Sequence, residues 1–273
     1  MPERRTKRRK KATGGAARGL IAVDVGNSDT VVGWFAGRTF ERLWRLTSRP
    51  QTADEAVLGL ELLLRSRLGG SGGSSAPGAV LCSVVPALTP AWAAALERVC
   101  GVAPVEVNSE LARDLPIRYH DRSAVGADRI ANAVAARGLY GTPAIVVDLG
   151  TATTFDCISK SGAYLGGAIA PGVGTSAEEL FRRAARIPRV ELRRPERALG
   201  RTTEESLRAG VLWGAAGQVD ALVRRLALEM KGTPHVIATG GWARVIASEC
   251  ETINVVDEAL TLKGMRLLWE GTR

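Results

Sequence analysis

Residues 20–28 read Leu-Ile-Ala-Val-Asp-Val-Gly-Asn-Ser, and residues 144–152 repeat the pattern as Ala-Ile-Val-Val-Asp-Leu-Gly-Thr-Ala. Each copy is an apolar, β-branched run followed by Asp, an apolar residue, Gly and a small polar residue. A second strand-like run follows each copy, at 31–35 and at 153–158. The pattern predicts two β-hairpins, each with a carboxylate at the end of a buried strand and a glycine-containing turn beside it.

The two turns have the composition of phosphate-binding loops. Gly lets the backbone approach a ligand closely, and successive N–H groups of a turn can hold a phosphate. The neighbouring Asp can hold a divalent ion or its waters. One Asp-x-Gly turn alone is typical of an ordinary strand end. Two copies in one chain favour two similar halves that clamp a nucleotide polyphosphate between them.

Composition is that of a globular protein, with 273 residues, 45% of them hydrophobic and 24% charged. No apolar run is long enough to span a membrane, and the N-terminus lacks the apolar stretch of a secretory signal. Cys82, Cys100, Cys157 and Cys250 form no C-x-x-C pair. We therefore expect reduced, buried thiols in a cytoplasmic protein that does not associate with a membrane.

The net charge of +9 is concentrated near the N-terminus. Residues 1–18 are rich in Arg and Lys and nearly free of apolar side chains, which predicts a disordered basic tail. Such a tail can contact nucleic acid electrostatically, or it can be only a solubilising extension. The run at 69–75 contains only Gly and Ser, which predicts a flexible surface loop.

Between these segments, strand-like and helix-like runs alternate in two similar series. The predicted strands are 20–25, 30–36, 38–46, 79–85, 103–107, 143–149, 153–159, 163–170 and 235–238. The predicted helices are 52–68, 88–99, 124–138, 174–184, 203–231 and 258–269. The first helix should begin with a capping box of Thr52 and Glu55. We expect an α/β protein with mixed sheets, divided into residues 19–122 and 123–273, with the helix 124–138 near the boundary.

Two further clusters could carry chemistry. Gly126-Ala127-Asp128-Arg129 opens a helix, where Asp128 is either a partner of the helix dipole or a general base beside an Arg that holds a carboxylate. Thr239-Gly240-Gly241 is either a simple strand-to-helix turn or a flat surface for a purine or a ribose. The chain has no G-x-x-x-x-G-K-[ST] loop and no kinase H-R-D loop.

Over residues 19–271 the chain resembles the type III pantothenate kinases, of the acetate kinase/sugar kinase/Hsp70/actin superfamily. The resemblance rests on six motifs in the family's order: Asp24-x-Gly-Asn-Ser28, Ser83-Val-Val-Pro86, Gly126-Ala-Asp-Arg129, Asp148-x-Gly-Thr-Ala-Thr-Thr154, Tyr164-x-Gly-Gly167 and Ala238-Thr-Gly-Gly241. It implies two ribonuclease-H-like (actin-like ATPase) halves, with mixed sheets flanked by helices and the nucleotide in the cleft between them.

The resemblance also implies an activity, which is ATP-dependent phosphorylation of pantothenate to 4'-phosphopantothenate, the first step of coenzyme A biosynthesis. The implied cofactors are Mg²⁺ and a monovalent cation, K⁺ or NH₄⁺, and the implied assembly is a homodimer. One alternative is a catalytically weak relative that acts as an accessory factor in gene regulation, its tail touching nucleic acid. Another is a sugar or acetate kinase of the same superfamily.

Site roles follow from the matched motifs. Asp128 resembles the catalytic base, Asp148 a ligand of the monovalent cation, and Asp24 a ligand of Mg²⁺, directly or through water. The implied pantothenate site is Tyr119, Gly126, Ala127, Asp128, Arg129 and Thr203, with Thr203 supplied by a neighbouring subunit. The implied ATP site is Asp24, Val25, Gly26, Asn27, Ser28, Asp29, Thr30, Val31 and Thr151. The chain departs from the family where Ser28 replaces the commoner Thr and where residues 119–123 lack a frequent proline.

Overall fold

The computed structural model describes residues 19–68 and 77–272, without the side chains of 66–68. The predicted tail, 1–18, and the predicted Gly/Ser loop, 69–75, lie outside the described residues. The described chain forms two five-stranded sheets with the same topology. This duplication confirms the two-halved α/β fold that the repeated hairpin predicts.

The first sheet has the strand order β3-β2-β1-β4-β5. Its strands are β1 Gly19–Val25, β2 Asp29–Ala36, β3 Thr39–Thr47, β4 Gly78–Ser83 and β5 Val105–Glu106. The three strands of the meander are antiparallel, whereas β4 and β5 add in parallel to the other side of β1. β1 is therefore central, and its apolar side chains are buried on both faces of the sheet.

The second sheet repeats this arrangement in the order β10-β9-β6-β7-β8. Its strands are β6 Ala144–Leu149, β7 Ala152–Ile158, β8 Tyr164–Pro171, β9 His235–Thr239 and β10 Val255–Val256. β6 pairs antiparallel with β7 and parallel with β9. β6 thus has the place that β1 has in the first sheet, and the two Asp-x-Gly turns leave equivalent strand ends.

Helices cover the outer faces of both sheets and fill the space between them. They are α1 Ala53–Leu68, α2 Thr89–Cys100, α3 Ala127–Ala135, α4 Val173–Arg183, α5 Thr203–Glu229, α6 Ala243–Ala247 and α7 Leu260–Glu270. The capping box at α1 is confirmed, since Thr52 N–H donates to Glu55 Oε2 (2.7 Å) and Glu55 N–H donates to Thr52 Oγ1 (3.2 Å).

The central layer consists of α3 and α7, which share one apolar core with the inner faces of both sheets. The helices touch at Gly264, where an added Cβ would lie 1.9 Å from the Ala131 carbonyl oxygen. α7 ends the chain but packs against β1 and β4 of the first sheet. The last helix of the second half therefore contacts the first half. The division of the chain at 122/123 stays a prediction.

The structure differs most from the predicted elements at the helix expected over 124–138 and at two short elements. The helix expected over 124–138 begins at Ala127, because Gly126 is its extended N-cap, and it ends in a π-helical turn, Ala136–Tyr140. The short helix α6 and the two-residue strand β10 were missed. Both are too short to carry a readable hydrophobic period.

Candidate active site

Asp24 and Asp148 occupy equivalent places in the two sheets. Asp24 on β1 pairs with Val31 and Cys82, while Asp148 on β6 pairs with Thr154 and Thr239. Both aspartates line one cavity of about 250 Å³, which Asp128 also lines. The structure thus brings together the three carboxylates that the sequence singled out.

The two predicted phosphate loops face each other across this cleft. Ser28 Oγ of the first loop lies 2.7 Å from Thr151 Oγ1 of the second. A hydroxyl group from another segment holds the backbone of each loop. Ser48 Oγ donates to the Gly26 carbonyl (2.6 Å), and Thr175 Oγ1 donates to the Thr151 carbonyl (2.6 Å). A ligand between the loops would therefore meet two hydroxyl groups on braced turns.

Asp128 enters the cavity from the first turn of α3. Gly126 makes room for it, because a Cβ at position 126 would lie 2.5 Å from Asp128 Oδ1. The same oxygen accepts a hydrogen bond from the Arg129 backbone N–H at 2.8 Å. Gly126 and Ala127 thus shape the start of the helix, and Asp128 supplies the reactive group.

Burial raises the pKa values of all three cavity carboxylates. The pKa of Asp24 rises to about 7 and that of Asp148 to about 6, first through burial and then through the negative charge of Asp128. Burial also raises the pKa of Asp128, against the hydrogen bond from the Arg129 N–H. Three half-buried carboxylates that line one cavity favour cations as ligands.

The donor set fits metals bound largely through water and phosphate. Among the described residues no three His, Cys, Asp or Glu side chains are close enough to form a metal cage. Mg²⁺ commonly keeps several waters and takes one or two carboxylates together with phosphate oxygens. Asp24 and Asp148 are the strand-end carboxylates available for that type of binding.

Asp148 is held from two sides. Its Oδ2 accepts a hydrogen bond from Asn132 Nδ2 of α3 at 3.0 Å. Its Oδ1 lies against Gly240, which has a φ of 95° and where a Cβ would approach that oxygen to 2.6 Å. A residue without a side chain is therefore required at 240. Sequence reasoning missed Asn132, which gave no signal beyond its place one helical turn after Asp128.

Arg129 points into the second sheet, where its Nε donates to Asp156 Oδ1 of β7 at 2.7 Å. Tyr164 O–H donates to the same oxygen at 2.9 Å, and Asp156 is 0% exposed. Burial raises the pKa of Asp156 to about 7, while Arg129 opposes the rise. For Arg129, burial lowers the pKa but the Asp156 carboxylate outweighs it. Sequence reasoning missed Asp156, although a charge inside an apolar strand was a readable signal.

Tyr119 and Thr203 do not line the cavity with Asp128, judged on the described chain. Tyr119 is 40% exposed and lies beside the Arg129 cluster, its ring centroid 6.4 Å from that of Tyr164. Thr203 is the exposed first residue of α5. Their implied roles at the pantothenate site stay predictions.

A wider cavity of about 950 Å³ adjoins the first, and both are lined by Asp29, Arg45, Gly150, Thr151 and Gly241. Trp242 and Gly174 line only the wider cavity. The predicted flat surface at Gly240-Gly241 thus lies at the junction of the two cavities. The geometry suits a nucleotide with its base and ribose in the wider cavity and its phosphates between the loops.

This two-halved architecture, with paired loops around an acidic cleft, is the actin-like ATPase fold. Solved structures with the same fold include an activator of 2-hydroxyisocaproyl-CoA dehydratase from Clostridium difficile with bound ADPNP. It is 12% identical, covers 93% of this chain and 96% of its own, and has a TM-score of 0.54. Another, described as a Baf family transcriptional activator from Campylobacter jejuni, is 19% identical, covers 93% and 98%, and has a TM-score of 0.56. At these identities the likeness shows the fold alone.

The family model for type III pantothenate kinase matches residues 20–225. A type III pantothenate kinase from Moorella thermoacetica is 46% identical over 92% of this chain and 98% of its own length. Another, from Geobacter sulfurreducens, is 44% identical over 93% and 99%. The chain belongs to the type III pantothenate kinase family, which confirms the resemblance seen in its motifs.

Proposed function

We propose that this chain transfers the γ-phosphoryl group of ATP to pantothenate, giving 4'-phosphopantothenate and ADP at the first step of coenzyme A biosynthesis. Family membership at 46% identity over 92% of the chain carries the proposal. The cavity that holds Asp24, Asp128 and Asp148 together supports it.

Asp128 is the proposed general base. As the primary hydroxyl oxygen of pantothenate bonds to the γ-phosphorus, the bond from that phosphorus to the bridging oxygen of ADP breaks, and the hydroxyl proton passes to the Asp128 carboxylate. Burial raises the pKa of this carboxyl above its ordinary value, which makes the carboxylate a stronger base. Positioning and charge neutralisation supply the rest of the catalysis.

A divalent ion, when bound, neutralises charge on the polyphosphate. The family implies the use of ATP and a divalent metal. Asp24 is the proposed protein ligand for Mg²⁺, directly or through water, because its carboxylate stands at the base of the first phosphate loop. This half-buried carboxylate has no basic partner in direct contact among the described residues. The loop residues 24–31 and Thr151 are the proposed phosphate contacts.

Asp148 is the proposed ligand of a monovalent cation, K⁺ or NH₄⁺. Its half-buried carboxylate has only the neutral Asn132 amide as a hydrogen-bond donor among the described residues, so a bound cation would offset the cost of its charge. Activity titrated with potassium, ammonium and sodium chloride at fixed ionic strength tests this. A flat response to all three salts would leave Asp148 as a turn residue only.

A homodimer and a Thr203 contact from the neighbouring subunit are further proposals. The edge strand β8 exposes apolar side chains, with Ile169 66% exposed, which supports an interface on that side of the molecule. Light scattering on the purified protein measures the oligomeric state. A cytoplasmic location is supported by four free cysteines. None of the described helices is long and apolar enough to cross a membrane.

The deciding experiment is a coupled assay of ADP release with pantothenate, with the product identified by mass spectrometry. We expect phosphopantothenate and ADP in equal amounts. Glucose and acetate serve as competing acceptors, because turnover with either in place of pantothenate would indicate another kinase of the same fold. Absence of turnover with all three, together with DNA binding through the tail, would favour the accessory factor.

A further inference from the structure

Arg45 of β3 belongs to the same cross-strand row as Asp24. Asp24 pairs with Val31 of β2, and Val31 pairs with Arg45. Residues directly opposite one another project from the same face of a sheet. With neighbouring strands about 4.8 Å apart, Arg45 begins about 10 Å from Asp24 on the cleft side of the sheet.

The inner cavity has an unbalanced charge. Arg45 is the one basic side chain among the described residues that line it, against five acidic ones: Asp24, Asp29, Asp128, Asp148 and Glu258. A nucleotide polyphosphate brings several more negative charges into this space. Binding therefore needs every available cation, and Arg45 is the one that the protein itself provides.

Arg45 also lies where the two halves meet. Its Nη1 is 3.2 Å from Asp29 Oδ2 in the first half. On the other side, a Cβ built on Gly241 of the second half would lie 3.6 Å from the same nitrogen. Arg45 lines both the inner and the wider cavity, at their junction. A polyphosphate that passes from one cavity to the other would pass this guanidinium.

The guanidinium of Arg45 is available for a ligand. Its contact with Asp29 is its one hydrogen bond within the described chain, and the side chain is 35% exposed. The other two arginines of the wider cavity are occupied, because Arg182 makes two hydrogen bonds to Glu179 and Arg189 is bound to Glu178. Four N–H groups of Arg45 remain free to reach phosphate oxygens.

We propose that Arg45 binds the polyphosphate of the nucleotide at the junction of the two cavities. The inference rests on the proposed function only for the identity of the nucleotide as ATP. Because Arg45 belongs to the first half, its contact would let residues of both halves bind the same polyphosphate. The competing explanation is that Arg45 serves only as the counter-ion of Asp29.

The test measures nucleotide binding to the purified full-length chain by calorimetry, with MgATP, MgADP and adenosine as probes. We expect Arg45→Gln to weaken MgATP and MgADP binding about 10- to 100-fold, the size of a lost charge-assisted hydrogen bond, and to leave adenosine binding unchanged. Arg45→Lys should restore part of the loss. Arg42→Gln is the matched control, since Arg42 is exposed on the same strand but on its opposite face.

Two results would overturn the proposal. One is MgATP affinity within twofold of wild type in Arg45→Gln, and the other is an equal loss for adenosine, which would make Arg45 a wall of the base site. If Arg45→Gln does not fold, Arg45→Lys decides, because a lysine should recover only part of the MgATP affinity; affinity equal to that of wild type at low and at high salt then rejects the proposal. Because binding is read without pantothenate, a wild-type enzyme that makes no phosphopantothenate would refute the proposed function without affecting this result.

Discussion

The two halves share one topology but differ at matched positions of their central rows. In the first sheet the row is Cys82, Asp24, Val31 and Arg45, and in the second it is Thr239, Asp148, Thr154 and Ile169. The aspartates are common to both rows, whereas the cation at one end is replaced by an exposed isoleucine. The duplicated fold thus supplies two equivalent carboxylates, whereas the residues around them give each carboxylate a different environment.

A second difference lies two residues further along β2 and β7, on the same face of each sheet. Gly33 of β2 occupies the place that Asp156 has in β7. Gly33 accommodates α7, because a Cβ there would lie 2.8 Å from Leu262 Cδ1. Asp156 instead binds Arg129 of α3. Each sheet therefore receives one central helix, the first by apolar packing and the second by a buried ion pair next to the proposed base.

The largest expected effect comes from Asp128, which serves both halves. Asp128→Asn should lower kcat by about 10²–10⁴-fold, the usual cost of losing a general base, and leave MgATP affinity nearly unchanged. Steady-state kinetics and calorimetry measure the two quantities. Asp54→Asn, on the exposed start of α1, is the control for substitution itself. Turnover within a few-fold of wild type would remove Asp128 from the role.

The ion pair between α3 and the second sheet should contribute strongly to the free energy of unfolding, because removing one partner leaves the other charge buried. Asp156→Asn leaves the buried Arg129 guanidinium without its counter-charge and should destabilise the protein by about 3–5 kcal/mol. Tyr164→Phe removes only a hydroxyl bound to the same oxygen and should cost about 1 kcal/mol. Urea unfolding measures both. Equal losses would mean that the pair contributes no more than a neutral hydrogen bond.

The two strand-end aspartates can be compared through the pH dependence of stability. Each has a folded pKa above its unfolded value of 3.8, so the folded state holds the proton more tightly and stability falls as pH rises from about 4 to about 6–7. Asp24→Asn should therefore stabilise the nucleotide-free protein by about 1–3 kcal/mol at pH 8, with no gain below pH 4.

Asp148→Asn should gain less, because the Asn132 amide already supports the Asp148 charge and the pKa of Asp148 rises only to about 6. Thermal unfolding of both variants at pH 4, 6 and 8 measures the difference. If Asp148→Asn gains as much stability as Asp24→Asn or more, the hydrogen bond from Asn132 does not stabilise the Asp148 carboxylate.

The sequence could predict the features that depend on local pattern. The repeated hairpin and the capping box at α1 could be read from residue order, and so could Asp24, Asp128 and Asp148. Their surroundings could be predicted only in part, because the contacts of Asn132 with Asp148, of Asp156 with Arg129 and of Arg45 with Asp29 join elements distant in the sequence. Asp156 itself was readable as a charge inside an apolar strand. Position 45 lies within a strand of mixed exposure, where only the register with β2 shows which face an arginine takes.

The smallest expected effect concerns a segment outside both halves. Deletion of residues 1–18 should leave kcat and both KM values unchanged, because the tail precedes β1 and its sequence has few apolar residues with which to anchor on either half. A low-salt DNA shift assay on the full-length and truncated chains is run beside the kinetic assay. Loss of DNA binding with intact kinetics would assign the basic charge to a separate role. Loss of kinase activity on deletion would show that residues 1–18 are needed for catalysis.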